Sequence, residues 1–273
     1  EGAVFTADRA VSAFPVANTT SCNVPGTRCS SFTPQGRFIL GPNFDFQDMA
    51  LNDGVGGVPA FVAGDPNGGD FHEFTADDRF NYNGEEFNYL RTPNERFNLY
   101  THVSHEINES LDLFFKASYT KRESDTRGAP EPLCLGNGCG TDITNNFTVS
   151  RLNPFNPFGV DLSVANGNLE FFGRRPLESG PRMFSQEAET LFLSTGLEGH
   201  FAAADRIFYW DATIGYGDNE GTQDKQNSHN ALNLQIAMGD PAVCAATPGC
   251  VPFNFFGGQG VDGQGSFTQE MLD

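Results

Sequence analysis

Four stretches of the chain alternate between apolar and polar residues with a period of two: Arg96–Ile107, Leu111–Lys121 or a little beyond, Thr190–Phe201 and Ile207–Asp218. One face of the first carries Phe97, Leu99, Thr101, Val103, His105 and Ile107. In the second it carries Leu111, Leu113, Phe115, Ala117, Tyr119 and Lys121. In the third it reads Leu191, Leu193, Thr195, Leu197, Gly199 and Phe201, and in the fourth Phe208, Trp210, Ala212, Ile214 and Tyr216. The opposite face is polar or glycine except for Tyr100, Phe114, Phe192 and Tyr209. Successive side chains of an extended strand point to opposite sides, so each stretch predicts a strand with one apolar and one polar face.

The connections sharpen the picture. Asn108–Ser110 and Ala202–Arg206 are short enough to close hairpins, whereas residues 122–189 and 219–273 are far longer than loops of compact domains. Strands of about a dozen residues can cross a bilayer at a tilt. Short turns at one end and long loops at the other follow the plan of an outer-membrane barrel. A soluble β-sandwich is the competing reading, but its strands are usually shorter, near ~5–6 residues. The expected fold is therefore all-β, an antiparallel transmembrane β-barrel fragment with long extracellular loops. The expected order is 1–95 mostly extracellular loop, 96–121 hairpin, 122–189 loop, 190–218 hairpin and 219–273 loop, with one short extra strand around Arg37–Leu40. Four strands cannot close a barrel, and an open edge in lipid leaves costly unpaired backbone groups, so further strands are expected from elsewhere in the protein. On the polar face, Arg96, His102, Lys116, Arg122, Glu198, His200 and Asp211 are the candidates for lining the lumen.

Charge narrows the class of partner. With 16 basic and 35 acidic residues the net charge is −19, which excludes the basic face that nucleic acid requires. Phe is abundant, 27 residues against 6 Tyr and 1 Trp, and in loops such aromatics would be available to stack on ligands. The six cysteines fall in close pairs, Cys22 with Cys29, Cys134 with Cys139 and Cys244 with Cys250, each across Gly- or Pro-containing residues. Three small disulfide loops, and with them an oxidising compartment, are the expectation. Zinc is the alternative, but no pair has C-x-x-C spacing and no His lies close.

Other chemistry finds little support. Gly258–Gly263 matches G-x-G-x-x-G, yet it lacks the buried strand and following helix that would present a pyrophosphate. Asp65–Asp70 offers oxygen ligands without the full spacing of a calcium loop, so a solvated acidic loop is the better account. His102 and His105 fall on opposite faces of one strand and cannot share a metal. No catalytic residue, metal site or cofactor is assigned, and an enzyme is not expected. Asn153-Pro154 and Asn156-Pro157 read as successive turns, and Ser228–Met238 as a short helix with Ser228 as its cap and Pro241 as its stop.

Several of these segments also carry a family resemblance. Phe87–Arg96, Asn153–Gly159, Arg174–Arg182 with Gly196–Gly199, and Gly239–Cys244 continuing to Pro248–Val251-Pro252 together resemble TonB-dependent receptors of the Caulobacter- and Sphingomonas-like kind. The resemblance spans roughly residue 80 onward and is loose before it. It implies a 22-stranded barrel in the Gram-negative outer membrane, an N-terminal plug and a TonB box through which the inner-membrane TonB complex supplies energy. Neither plug nor box is legible here, so the chain is expected to be a piece of a longer receptor. The implied function is energised uptake of a scarce small ligand, a siderophore, cobalamin, carbohydrate or similar, with outer-membrane lipid as the surroundings. A passive porin and a secreted glycan-binding β-protein are the alternatives. The long loops, Asn153–Gly159 among them, are expected to gather the ligand and to be removable without loss of the barrel.

Overall fold

In the computed structural model, which describes residues 30, 32–44, 46–75, 78, 87–89, 91–140, 142–258 and 265–272, the alternating stretches lie together in one four-stranded sheet. Three short strands come first in the chain: β1 (Arg37–Leu40), β2 (Asp48–Leu51) and β3 (Phe71–Glu73). The long ones are β4 (Asn94–Asn108), β5 (Leu111–Gly128), β10 (Arg182–Ala203) and β11 (Arg206–Gln226), in the order β11-β10-β5-β4. Between them lie β6 (Leu133–Gly136), β7 (Thr148–Val149), β8 (Leu162–Ser163) and β9 (Leu169–Arg174). Helices α1 (Asp142–Asn145), α2 (Ala231–Met238), α3 (Pro241–Ala246) and α4 (Gln269–Leu272), with 3-10 turns at Pro42–Phe44 and Leu177–Ser179, complete the described elements. The fold is mostly antiparallel β-sheet, and it divides into two units.

The first unit comprises Tyr89–Arg127 and Met183–Gln226. Its hairpins form where the turns allow. Asn108 Oδ1 accepts from the amide and hydroxyl of Ser110 at 3.0 and 3.1 Å, folding β4 into β5. Ala204 and Asp205 take positive φ (47° and 61°), the paired left-handed conformations whose twist matches the strands of a two-residue hairpin. Phe97 stands opposite Lys121, Val103 opposite Phe115, Thr195 opposite Ile214 and Phe201 opposite Phe208. Opposed residues share a face, so the alternation expected from sequence stays in phase within each hairpin. Aromatic rings settle on glycines of the next strand. A Cβ on Gly196 would meet the Phe114 ring at 2.8 Å, and one on Gly199 the Trp210 ring at 2.9 Å.

All four strands outrun their expected limits, β10 and β11 most of all, with 22 and 21 residues. The apolar alternation stops near Leu191 and Tyr216, but the hydrogen-bond ladder does not need it. Residues such as Glu187 opposite Thr222 and Glu189 opposite Glu220 continue the pairing with polar side chains. Lys121 marks the border on the outer face, its Nζ lying 2.9 Å from Glu123, 2.9 Å from Glu187 and 3.4 Å from Glu189.

The second unit comprises Val4–Asn88, Gly128–Arg182 and Asn227–Asp273, and it corrects the reading of these stretches as loops. Its described part holds a five-stranded sheet, β3-β2-β1-β9-β6, and the separate pair β7-β8. Phenylalanine, expected in loops and open to ligands, instead builds its core. Phe38 is fully buried and meets Phe71, Phe172 and Phe255 edge-on at 5.8, 5.4 and 6.1 Å. Leu40, Met49, Leu51, Leu135, Leu162 and Leu169 close the same cluster. Such edge-to-face rings gain attraction beyond the area they bury.

The turns at Asn153–Gly159 belong to this core too. Asn153 Oδ1 accepts the Phe155 amide and Asn156 Oδ1 the Phe158 amide, both at 2.9 Å, and Phe158 is buried. Asn153 Nδ2 donates to the Ala237 carbonyl at 3.1 Å, and the Ser150 amide donates to the Met238 carbonyl at 3.1 Å, satisfying the end of α2. The segment is not a removable loop, because deleting it takes the buried Phe158 ring out of the core and removes the Asn153 bond to the end of α2. Helix α2 begins later than expected, with Asn230 as cap accepting from Leu232 and Asn233, and Pro241 opens α3 behind an Asp240 cap.

One buried cation ties the unit together. Arg174 is fully buried, with Nε donating to the Pro34 carbonyl at 3.0 Å and Nη1 to Ser266 Oγ at 2.6 Å. Nη1 also reaches the Asn254 and Phe255 carbonyls, while Nη2 donates to Glu178 Oε1 at 2.6 Å and the Gly258 carbonyl at 2.9 Å. Its guanidinium lies 4.2 Å from the Phe267 ring centroid. Burial pulls the Arg174 pKa down to about 10, against the Glu178 carboxylate, which raises it; the side chain stays charged at neutral pH.

Candidate functional site

Two surfaces are candidates: the polar face of the long-stranded sheet in the first unit and a cleft in the second.

On the polar face the ladder sets side chains of like charge opposite each other. Arg96 faces Arg122, Glu106 faces Asp112 and Glu198 faces Asp211. His102 stands opposite Lys116, and the His200 and Tyr209 rings lie 5.8 Å apart. The carboxylate pairs sit beside the hairpin turns and the arginine pair toward the far end of β4 and β5. Opposed like charges destabilise a sheet unless water or a counter-charged surface offsets them. This face is consequently a wet or partnered one. Around these charges, Asn98 Oδ1 accepts from Arg96 Nε at 3.2 Å and Thr120 Oγ1 at 3.0 Å, and Lys116 Nζ lies 4.6 Å from the Phe114 ring centroid. The lumen candidates therefore divide into cross-strand pairs within each hairpin and do not converge on one reacting point. His102 and His105 occupy successive faces of β4, as their spacing requires.

The cleft has a volume of about 270 Å³ and lies between α2, the Thr247–Cys250 turn, Phe253 and α4. Its apolar side is Leu234, Ile236, Ala237, Val251, Phe253, Met271 and Leu272; its polar side is Ser228, His229, Asn230, Asn233, Thr247 and Glu270. Each wall is held. Asn230 caps α2, His229 Nε2 donates to the Glu131 carbonyl at 3.2 Å, and the Phe253 amide donates to the Ala237 carbonyl at 3.0 Å. The Cys244–Cys250 disulfide closes the turn beneath Thr247, whose hydroxyl donates to the Val243 carbonyl at 2.9 Å. A mixed apolar and polar lining on fixed elements is the usual make-up of a small-molecule site. The sequence did not single it out, because its walls come from segments read as one long loop.

Two expected disulfides are formed, Cys134–Cys139 with Cα atoms 5.3 Å apart and Cys244–Cys250 with Cα atoms 5.2 Å apart. The third pair, Cys22 and Cys29, lies outside the described residues. Non-reducing peptide mapping is expected to recover all three as linked pairs; free thiols at Cys134 or Cys244 in freshly isolated protein would contradict the oxidising compartment. The Asp65–Asp70 loop spends its oxygens internally. Asp65 Oδ1 accepts the Asn67 amide at 3.0 Å, Asn67 Oδ1 the Glu73 amide at 3.0 Å and Asp70 Oδ2 the Ala60 amide at 2.7 Å. No group of three or more His, Cys, Asp or Glu side chains placed to hold a metal occurs among the described residues. Gly258, first of the G-x-G-x-x-G run, gives its carbonyl to Arg174; Gln259–Gly263 lie outside the described residues. Among the described residues no helix is long and apolar enough to cross a membrane, which says nothing of strands. No model of a known protein family matches the chain, and no curated protein matches it.

Proposed function

We propose that the chain is part of the barrel of an outer-membrane importer resembling the TonB-dependent receptors, a transporter and not an enzyme. The observation that carries the reading is the exposed apolar face of β4, β5, β10 and β11. Phe97, Leu99, Val103, Ile107, Phe201, Phe208, Ile214 and Tyr216 all stand open to the surroundings, Ile214 at 72%. In water a face of this extent demands a cover. Lipid supplies one. From Leu191 to Phe201 the strand rises roughly 33 Å, which at a tilt of about 40° makes a band about 25 Å tall, the apolar height of outer-membrane barrels. Where the band ends, Lys121 and its carboxylates begin. In this reading the polar face lines the lumen, where the family's plug would answer its paired charges, and the Phe-rich second unit gathers the ligand.

The test is uptake by cells carrying the full receptor. Accumulation of its ligand is expected to collapse when the inner-membrane proton gradient is dissipated, while binding at the surface persists. Undiminished uptake in de-energised cells would identify a passive porin.

A further inference from the structure

We infer that the cleft of the second unit binds a neutral, polyhydroxylated ligand, seating one or two rings of a sugar chain. The inference rests on the reading that this unit gathers the importer's ligand, and it names the class.

Charge comes first. Among the described residues lining the cleft there is no Lys or Arg, and the formally charged one is Glu270. Anionic ligands, carboxylates, phosphates and acidic iron chelates among them, are held by guanidinium and ammonium donors. Here such a ligand would meet a carboxylate at the rim, in a chain of net charge −19. A purely apolar ligand fails for another reason. It would strip water from Asn233 and Glu270, both exposed, and return no hydrogen bond.

The arrangement of the lining then fits a sugar. A pyranose has an apolar C–H face and a polar edge of vicinal hydroxyls, each both donor and acceptor. Leu234, Phe253 and Met271 supply the apolar floor, with Phe253 steadied by the Phe267 ring at 4.3 Å. Asn233 offers an amide donor and acceptor, and Glu270 a carboxylate that accepts from two hydroxyls at once. At about 270 Å³ the cleft is roomy enough for several waters before a ligand arrives. Exchanging them for one ring and its hydroxyls keeps the hydrogen bonds and buries the C–H face. The walls need little ordering, because the α2 cap and the Cys244–Cys250 bridge hold them before a ligand arrives.

Calorimetry on the folded full chain tests this with a panel of trisaccharides: neutral ones built of glucose, xylose or mannose, anionic trigalacturonate, and the cationic trimer of glucosamine. A neutral member is expected to bind with a millimolar or tighter constant and at least tenfold ahead of both charged ones. Asn233→Trp, which fills the cleft from an exposed helix position, is expected to weaken that binding more than tenfold. Glu270→Gln, milder still on folding, is expected to weaken it several-fold without admitting trigalacturonate. Absence of binding by every neutral member at 10 mM, preference for either charged trimer, or undiminished binding by Asn233→Trp in a chain of native circular dichroism would each overturn the proposal. Binding of neutral sugar by the chain, with no energised uptake by cells carrying the full receptor, would overturn the receptor reading alone.

Discussion

Replacing Arg174 by Met is expected to cost the Phe-rich unit about 3–5 kcal/mol, the range for removing one partner of a buried ion pair. The loss is large because the guanidinium serves several buried acceptors at once. Without it Glu178, whose other oxygen Oε2 has no partner among the described residues, keeps an uncompensated charge. The carbonyls of Pro34 and Gly258 lose their bonds as well, from segments far apart in the chain. Against a typical domain stability of about 5–15 kcal/mol, this is enough to loosen β9 and the turn at Phe255 together. Amide hydrogen exchange by mass spectrometry reads it directly. Peptides covering β1, β9 and residues 253–258 should exchange faster by two orders of magnitude or more, with the β10–β11 hairpin unchanged. Arg174→Lys should fall between, since one ammonium cannot match the guanidinium's five donors. The double variant Arg174→Met, Glu178→Leu should recover part of the loss, because it removes the stranded carboxylate. Unchanged exchange in Arg174→Met would reduce the network to decoration.

How much of this was legible depends on what each element leaves in its pattern. β4, β5, β10 and β11 announced themselves because each has one face apolar and the other polar, and the expected pairing of faces holds in the register. Their outer ends did not. Glu187, Thr222 and Asp224 are polar like the residues between them, so the pattern reads as loop while the ladder continues. The second unit was misread for the opposite reason. β2 buries Met49, Ala50 and Leu51 in succession, and β9 buries Phe172, Gly173 and Arg174, so neither alternates. Their partners are also remote, with Phe38 paired to Phe172, and nothing local signals such a pairing. The helix start was missed by two residues because Ser228 and Asn230 are both good caps; the carboxamide of Asn230 is the one that reaches the amides. Arg174 stayed hidden for a simpler reason: an Arg-Arg-Pro run reads as exposed, and the acceptors that justify burying it come from three other segments.

The second large effect separates lipid from water on the apolar face. Ile214→Arg and Thr213→Arg place the same charge at neighbouring positions of β11, one on the apolar face and one on the polar face. Both residues are exposed, so in water neither change should move stability by more than about 0.5 kcal/mol. In a bilayer the two diverge. Ile214 lies opposite Thr195, in the middle of the apolar stretch Leu191–Phe201, where an arginine facing hydrocarbon costs about 2–4 kcal/mol. Thr213 lies opposite Gly196 on the polar face, where the new guanidinium stays in water and has Asp211 and Glu198 one step along the ladder. Urea unfolding of the full receptor from lipid vesicles is the measurement, with both variants compared to the parent. A deficit confined to Ile214→Arg is the expected outcome, and an Arg at Tyr216, nearer the polar border, should cost less, because the penalty falls toward the interface. Equal stability of the Ile214 and Thr213 variants in vesicles would remove lipid as the cover for this face and return the sheet to the aqueous proteins.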